Sequence, residues 1–111
     1  MVMGLNTGLW VMAQVRLCDR NFIPATIVRH GNDEAGTVLL KLNRGAAGCT
    51  VLSQTRTPEG ELVWLRGTGA DPVSETDADA YIARQAKYDP DLWVVEIEDR
   101  EGRHFLDDRV I

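Results

Sequence analysis

The stretch DADAYIARQAKYDPDLWVVEIEDREGRHFL, Asp77 to Leu106, reads as helix, turn, strand, tight turn and strand. Its helix is expected from about Thr76 to Tyr88, because Ala78, Tyr81, Ile82, Gln85 and Tyr88 recur on one helical stripe. Ser74 or Thr76 can cap it, each with an aspartate three residues on. Asp77 and Asp79 fall in the first turn and Arg84 and Lys87 later, the order that the helix dipole favours. Asp89-Pro90-Asp91 stops the helix. Leu92–Glu98 then alternates as a strand, with Trp93, Val95 and Ile97 on one face and Val94, Glu96 and Glu98 on the other. Asp99-Arg100-Glu101-Gly102 turns it into Arg103–Leu106, giving a C-terminal hairpin.

Upstream lie four shorter segments of β character. Ala25–His30 is followed by the loop Gly31–Gly36, and Thr37–Asn43 by Gly45-Ala46-Ala47-Gly48. Cys49–Arg56 ends at Thr57-Pro58-Glu59-Gly60, which fits a type I turn, and Glu61–Arg66 follows. The short connections predict a four-strand antiparallel meander. Four-residue loops would set Lys41 opposite Leu52, Leu39 opposite Gln54 and Arg56 opposite Glu61. One face then carries Val38, Leu40, Leu42, Val51, Leu62 and Trp64. The other carries Leu39, Leu52, Val63 and Leu65 among Lys41, Gln54 and Arg56. A slip of one residue would exchange these sets.

Residues 9–22 fit a strand by alternation and a helix by composition. Helix is preferred, because Met, Ala, Gln, Arg and Leu are good helix formers. Trp10, Val11, Val15, Leu17, Cys18 and Phe22 would form its apolar face, with Thr7 as N-cap. Gln14 falls inside that stripe and is expected to bond to backbone. The fold class expected is therefore α+β: one domain of an antiparallel sheet, the meander plus the hairpin, flanked by two helices. Residues 1–7 and 107–111 are expected to be loose.

Taken together, YIARQAKYDPDLWVVEIEDREGRHFL, ELVWLRGTGADPV and VLLKLNR resemble the bacterial domain-of-unknown-function family numbered 1491, from the Trp10 region to Phe105. That resemblance implies a small bacterial cytoplasmic protein and brings no activity, cofactor or site with it.

Charge is unevenly spread. Asp71–Ile111 holds 12 acids against 5 bases, whereas residues 1–70 hold 5 against 7, within a net charge of −5. An acidic chain is a poor general binder of phosphate backbones. No apolar run reaches the length of a membrane span. The first residues lack the basic start and cleavage site of a signal peptide. Cys18 and Cys49 have no metal or redox spacing and are expected as buried thiols in a reducing cytoplasm.

Candidate chemistry is sparse. His30 and His104 belong to no metal-binding spacing, so neither a metal nor a cofactor is expected. Asp89 and Asp91 could be paired carboxylates, but the same spacing makes a helix-stopping turn, which is preferred. Ser53 and Ser74 have no histidine near them in sequence, and nothing activates either cysteine. Gly67-Thr68-Gly69 lacks the lysine of a phosphate loop. No catalytic residue is assigned, and an enzyme ranks third. The preferred function is a protein-interaction module, or a homodimer, using Leu39, Leu52, Val63 and Leu65. The alternative is an RNA- or nucleotide-phosphate-binding module using Arg29, Lys41, Arg56 and Arg66. Trp64 is its one stacking candidate, and Arg56 is expected to pair with Glu61.

Overall fold

In the computed structural model, which describes residues 6–111, the elements are α1 (Thr7–Arg20), β1 (Ala25–Arg29), β2 (Val38–Asn43), β3 (Cys49–Arg56), β4 (Leu62–Arg66), α2 (Glu75–Tyr88) and β5 (Trp93–Glu98). The α+β class holds, with two helices and one five-stranded sheet. The purely antiparallel sheet does not. Strand order is β1-β5-β2-β3-β4, and β5 runs parallel to β2. Only β2-β3-β4 form the expected meander. The segment through α2 is long enough to carry the chain back to the far side of β2, where a parallel neighbour becomes possible.

This placement also removes the C-terminal hairpin. Both edges of β5 are occupied, by β1 and β2, so Arg103–Leu106 finds no strand to join. It runs instead under the α1 face, where Phe105, Leu106 and Val110 pack against the core. The tail beyond it is tied down rather than loose. Trp64 N donates to Arg109 O at 2.8 Å and Ile111 N to Trp64 O at 2.7 Å. Residues 109–111 thereby cover the outer edge of β4. At the other end, the expectation for residues 1–7 lies mostly outside the described residues, and Thr7 is a buried part of α1.

The register differs from expectation by one residue at β3. Asn43 pairs with Cys49, so the turn between β2 and β3 takes five residues, Arg44–Gly48, with a 3-10 turn over Gly45–Ala47. Arg56 pairs with Leu62, so the next connection also takes five. The two slips cancel for β4 and leave β3 alone inverted. Leu52 therefore shares a face with Leu40, Leu42 and Trp64, while Val51 shares one with Leu39 and Lys41.

Each face has its own helix. On one, Val11 and Cys18 of α1 pack on Leu40, Leu52, Trp64, Trp93, Val95 and Ile97. Trp10 stacks on Trp64, ring centroids 5.7 Å apart. The buried residues of α1 are Thr7, Val11, Gln14 and Cys18, a stripe at helical spacing. Gln14 Nε2 donates to the His104 carbonyl at 2.6 Å, which gives the buried amide its partner. The helix cap is Asn6 rather than Thr7, its side chain accepting from Leu9 N at 3.0 Å. Phe22, expected inside, lies past the helix end and is exposed, with φ 59°.

On the opposite face, Ala78 of α2 packs on Leu39, Cys49, Val51, Leu92 and Val94, with Tyr81, Ile82 and Ala86 alongside. Ser74 caps α2 by accepting from Asp77 N at 3.1 Å. Tyr88, expected on the inward stripe, is 87% exposed. Asp89 Oδ1 accepts from Asp91 N at 3.0 Å, so this pair of carboxylates forms the stopping turn.

Candidate functional site

One irregularity in β1 shapes an open, largely apolar recess. Ile27 pairs with Val95 and Arg29 with Val94, leaving Val28 as an extra residue in the ladder. Such a bulge moves the following side chains to the opposite face. Arg29 is thereby turned toward the chain entering β5, where its Nη1 donates to the carbonyls of Leu92 at 2.8 Å and Pro90 at 3.0 Å. His30 is returned to the α1 side and lies on Trp93, ring centroids 4.1 Å apart.

The loop after His30 fixes that tryptophan. Trp93 Nε1 donates to the Asn32 carbonyl at 2.7 Å, and Asn32 N donates to Asp91 O at 3.0 Å. Asn32 Oδ1 accepts from Glu34 N and Ala35 N, which turns the loop. Gly31 and Gly36 both lie against the Asp91 carbonyl and the Trp93 ring, where a Cβ would collide. Gly8 N then donates to Asp33 O at 2.9 Å and docks the start of α1 on the loop.

Between α1 and β1 this leaves a cleft of about 340 Å3, lined by Leu9, Met12, Ile27, His30, Asp33 and Trp93 together with Asn6 and Gly8. Leu9 is 67% exposed and Met12 43%. His30 Nε2 stands 3.7 Å from Asp33 Oδ1 at the rim, with both side chains exposed. The cleft is apolar in the middle, with Asp33 and His30 at one edge.

The residues singled out from sequence fall elsewhere. Leu39, Leu52 and Val63 are buried, Leu65 is exposed, and Leu52 faces away from the other three. Of the bases, Arg29 is held by the carbonyls described above. Arg56 Nη1 bonds to the Gly60 carbonyl at 2.8 Å, and Glu61 pairs with Arg109 instead, at 2.9 Å. Lys41 is only 4% exposed and meets Glu75 and Asp79 at 2.8 Å and Glu96 at 3.5 Å. Burial works against its charge, but the hydrogen bonds it donates to Asp79 and Glu75 and the charge of Glu96 outweigh that and raise its pKa. Arg66 stays exposed at the end of β4. Trp64 is fully buried and offers no face to a base.

Gly67 and Gly69 spend their amides on Val51 O and Arg66 O. Cys18 and Cys49 are buried on opposite faces of the sheet. Burial raises both thiol pKa values, helped at Cys18 by the charge of Asp99. Among the described residues, no group of three or more His, Cys, Asp or Glu is arranged to hold a metal ion, and no helix is long and apolar enough to cross a membrane.

Sequence reading missed Leu9, Met12 and Asp33. The available signal was the pair Gly31 and Gly36 around a strand-end histidine, a spacing that suits close packing against another chain segment.

Comparison with known proteins places this architecture. The chain is similar to a crystal structure of a DUF1491 family protein from Caulobacter crescentus CB15, with 41% identity, 96% of this chain and 99% of that one covered, and a TM-score of 0.85. It is similar to an NMR structure of a DUF1491 family protein from the same organism, with 40% identity, 99% of each chain covered and a TM-score of 0.84. The solution structure of protein Atu0922 from A. tumefaciens shares the fold at 20% identity, covering 96% of this chain and 97% of that one, with a TM-score of 0.72. No curated protein matches the sequence. The family model described as "Protein of unknown function (DUF1491)" matches residues 5–107, and the chain belongs to that family.

Proposed function

We propose that this protein is a non-enzymatic binding module that holds a short apolar segment of a partner protein in the cleft between α1 and β1. The observation that carries the reading is the exposure of Leu9 and Met12 over a cleft floor that the buried Trp93, fixed by its bond to the Asn32 carbonyl, keeps in place. Leu39, Leu52 and Val63 are buried, which leaves Leu65 as the only exposed residue of the patch first expected, so that patch gives way to this one. Exposed methionine and leucine side chains around an apolar cleft suit protein partners. Asp33 at the rim and the net charge of −5 favour a segment that also carries a basic side chain. The outer edge of β1 makes no hydrogen bond with other described residues, so the segment can also pair with main chain there. Buried free thiols fit a reducing cytoplasm as the setting.

Selection from a displayed peptide library tests this. Enrichment of apolar peptides bearing Lys or Arg, lost with Leu9→Asp or Met12→Asp, is the expected result. Both side chains are exposed, so the variants should fold. Enrichment indifferent to these changes, or none at all, sinks the proposal. Light scattering on the same samples reports whether a second copy occupies the cleft instead.

A further inference from the structure

A second recess lies at the other end of the α1 face, where the chain after β5 crosses the ends of β2, β3 and β4. It measures about 220 Å3 and is lined by Arg44, Thr50, Arg66, Glu101, Gly102 and His104 among others. Four segments of the fold bring cationic or donor groups to it. Thr50 and Arg66 point to the α1 face because they share the register of Leu42 and Leu52. Arg44 follows β2 directly and is held by its Nε, which donates to the Arg100 carbonyl at 3.0 Å. Gly102, at φ 71°, lies against the Arg44 side chain, where a Cβ would come within 3.1 Å of its Cδ. His104 Nδ1 accepts from Leu106 N at 3.1 Å, which puts the proton of the neutral ring on Nε2.

The donors that remain are the two Nη groups of Arg44, the guanidinium of Arg66, His104 Nε2 and the Thr50 hydroxyl. Arg66 makes no side-chain hydrogen bond or ion pair with the described residues. Among the described residues, Glu101 is the one carboxylate that lines the recess. It stands 3.6 Å from Arg103 Nε and is 74% exposed, so it is drawn outward. The contrast between Arg66 and the sheet's other bases is the argument. Arg29, Lys41 and Arg56 are each bonded to protein acceptors, as Arg44 is through its Nε, whereas Arg66 has no such partner among the described residues and lines the same recess as Arg44. Burial and the charge of Arg66 lower the pKa of His104, so the ring is a neutral donor near pH 7.

We propose that the Arg44–Arg66–His104 recess is a binding site for a small oxyanion, a phosphoryl group in the first instance. Guanidinium forks match the oxygens of such a group. The volume is below that of sites for drug-sized ligands, roughly 300 Å3 upward, so a phosphate or the end of a small phosphorylated molecule fits better than a nucleic acid strand. The site is separate from the α1–β1 cleft, and neither proposal needs the other.

The test is titration of the full chain with inorganic phosphate, pyrophosphate and a single-stranded RNA, followed by NMR. Phosphate or pyrophosphate should shift the signals of Arg66, His104 and Thr50 with saturation below about 10 mM. Arg66→Gln and Arg44→Gln should each weaken binding by about tenfold or more. Lys87→Gln, on α2, should leave it unchanged. Phosphate should also raise the His104 pKa, a readout that loss of stability alone would not produce. Absence of saturable shifts, equal effects from Lys87→Gln and Arg66→Gln, or RNA binding that survives Arg66→Gln would each overturn the assignment.

Discussion

Lys41 Nζ donates to Asp79 Oδ1 at 2.8 Å, and this bond joins the middle of β2 to the second turn of α2. The same ammonium holds Glu75 and Glu96. A lysine in the apolar sheet face is thus the fastening between sheet and helix, and its three acids leave no donor for a ligand.

Lys41→Met should therefore destabilise the fold even though methionine is apolar. It leaves Glu96, 16% exposed, facing Glu75 and Asp79 without a cation. Loss of a buried partner costs about 3–5 kcal/mol, but Glu75 and Asp79 are more than half exposed, so roughly 1–3 kcal/mol is expected. Urea unfolding at neutral pH measures it. Adding Glu96→Leu should recover part of the loss. Because the lysine pKa is raised, its contribution is complete below the ordinary lysine value and declines as pH rises through the higher folded value.

The helix stripe read from sequence contains an internal control. Ile82 packs beside the α2-face core, whereas Tyr88 stands in solvent. Ile82→Ala should cost about 1–2 kcal/mol, below the full-burial range because the site is half-buried. Tyr88→Ala should change stability by less than about 0.5 kcal/mol. Equal shifts in melting midpoint would show that α2 is rotated from the orientation described. Ile82 meets the Leu92 and Val94 side of β5, whereas Trp93 faces α1, because alternate residues of a strand face opposite ways.

Gly31→Ala should disturb the α1–β1 cleft specifically. The new methyl group would run into the Asp91 carbonyl and the Trp93 ring, and backbone cannot yield as a flexible side chain can. A loss of about 1–3 kcal/mol is expected, with a change in tryptophan fluorescence as Trp93 moves. Unchanged stability and emission would mean that loop and indole are not in contact.

Acid should act through Asp99. Its side chain accepts from Arg103 Nε at 2.9 Å and from Arg103 N at 2.8 Å, and these bonds bring its pKa down to about 2. A carboxylate with a depressed folded pKa contributes stability above its unfolded value, near 4, and loses it as pH falls toward the folded one. Wild-type protein should thus lose stability between about pH 4 and pH 2 more steeply than Asp99→Asn. Parallel curves for the two proteins would remove Asp99 from the acid response.

Helix α2 was legible because three local signals agree: the Ser74 cap, the early aspartates and the Asp89-Pro90-Asp91 stop. Helix α1 was legible from composition, although its cap lay one residue earlier. Strand order was not legible, because nothing local distinguishes a hairpin partner from a strand delivered by a crossover. One clue was present in Leu92-Trp93-Val94-Val95, an unbroken apolar run of the kind found in strands covered on both faces. The β3 register was missed because a 3-10 turn adds one residue to the Gly45–Gly48 connection. Candidate binding residues were missed for a related reason. Both recesses combine residues far apart in sequence, Leu9 with Trp93 and Arg44 with His104, and spacing along the chain says nothing of such meetings.

The central position of β5 has a consequence for synthesis. β1 ends at Arg29, and the strand that must lie between it and β2 begins only at Trp93. Until that strand leaves the ribosome, β1 has no neighbour and β2 presents an open apolar edge. At roughly 5–20 residues per second, the intervening sixty or so residues take about 3–12 s. The nascent chain can close β2-β3-β4 early, but its sheet completes only when the last strand threads between two earlier ones. Ribosome-bound chains ending before Trp93 should accordingly be protease-sensitive at β1, and that interval is when the molecule most depends on chaperones.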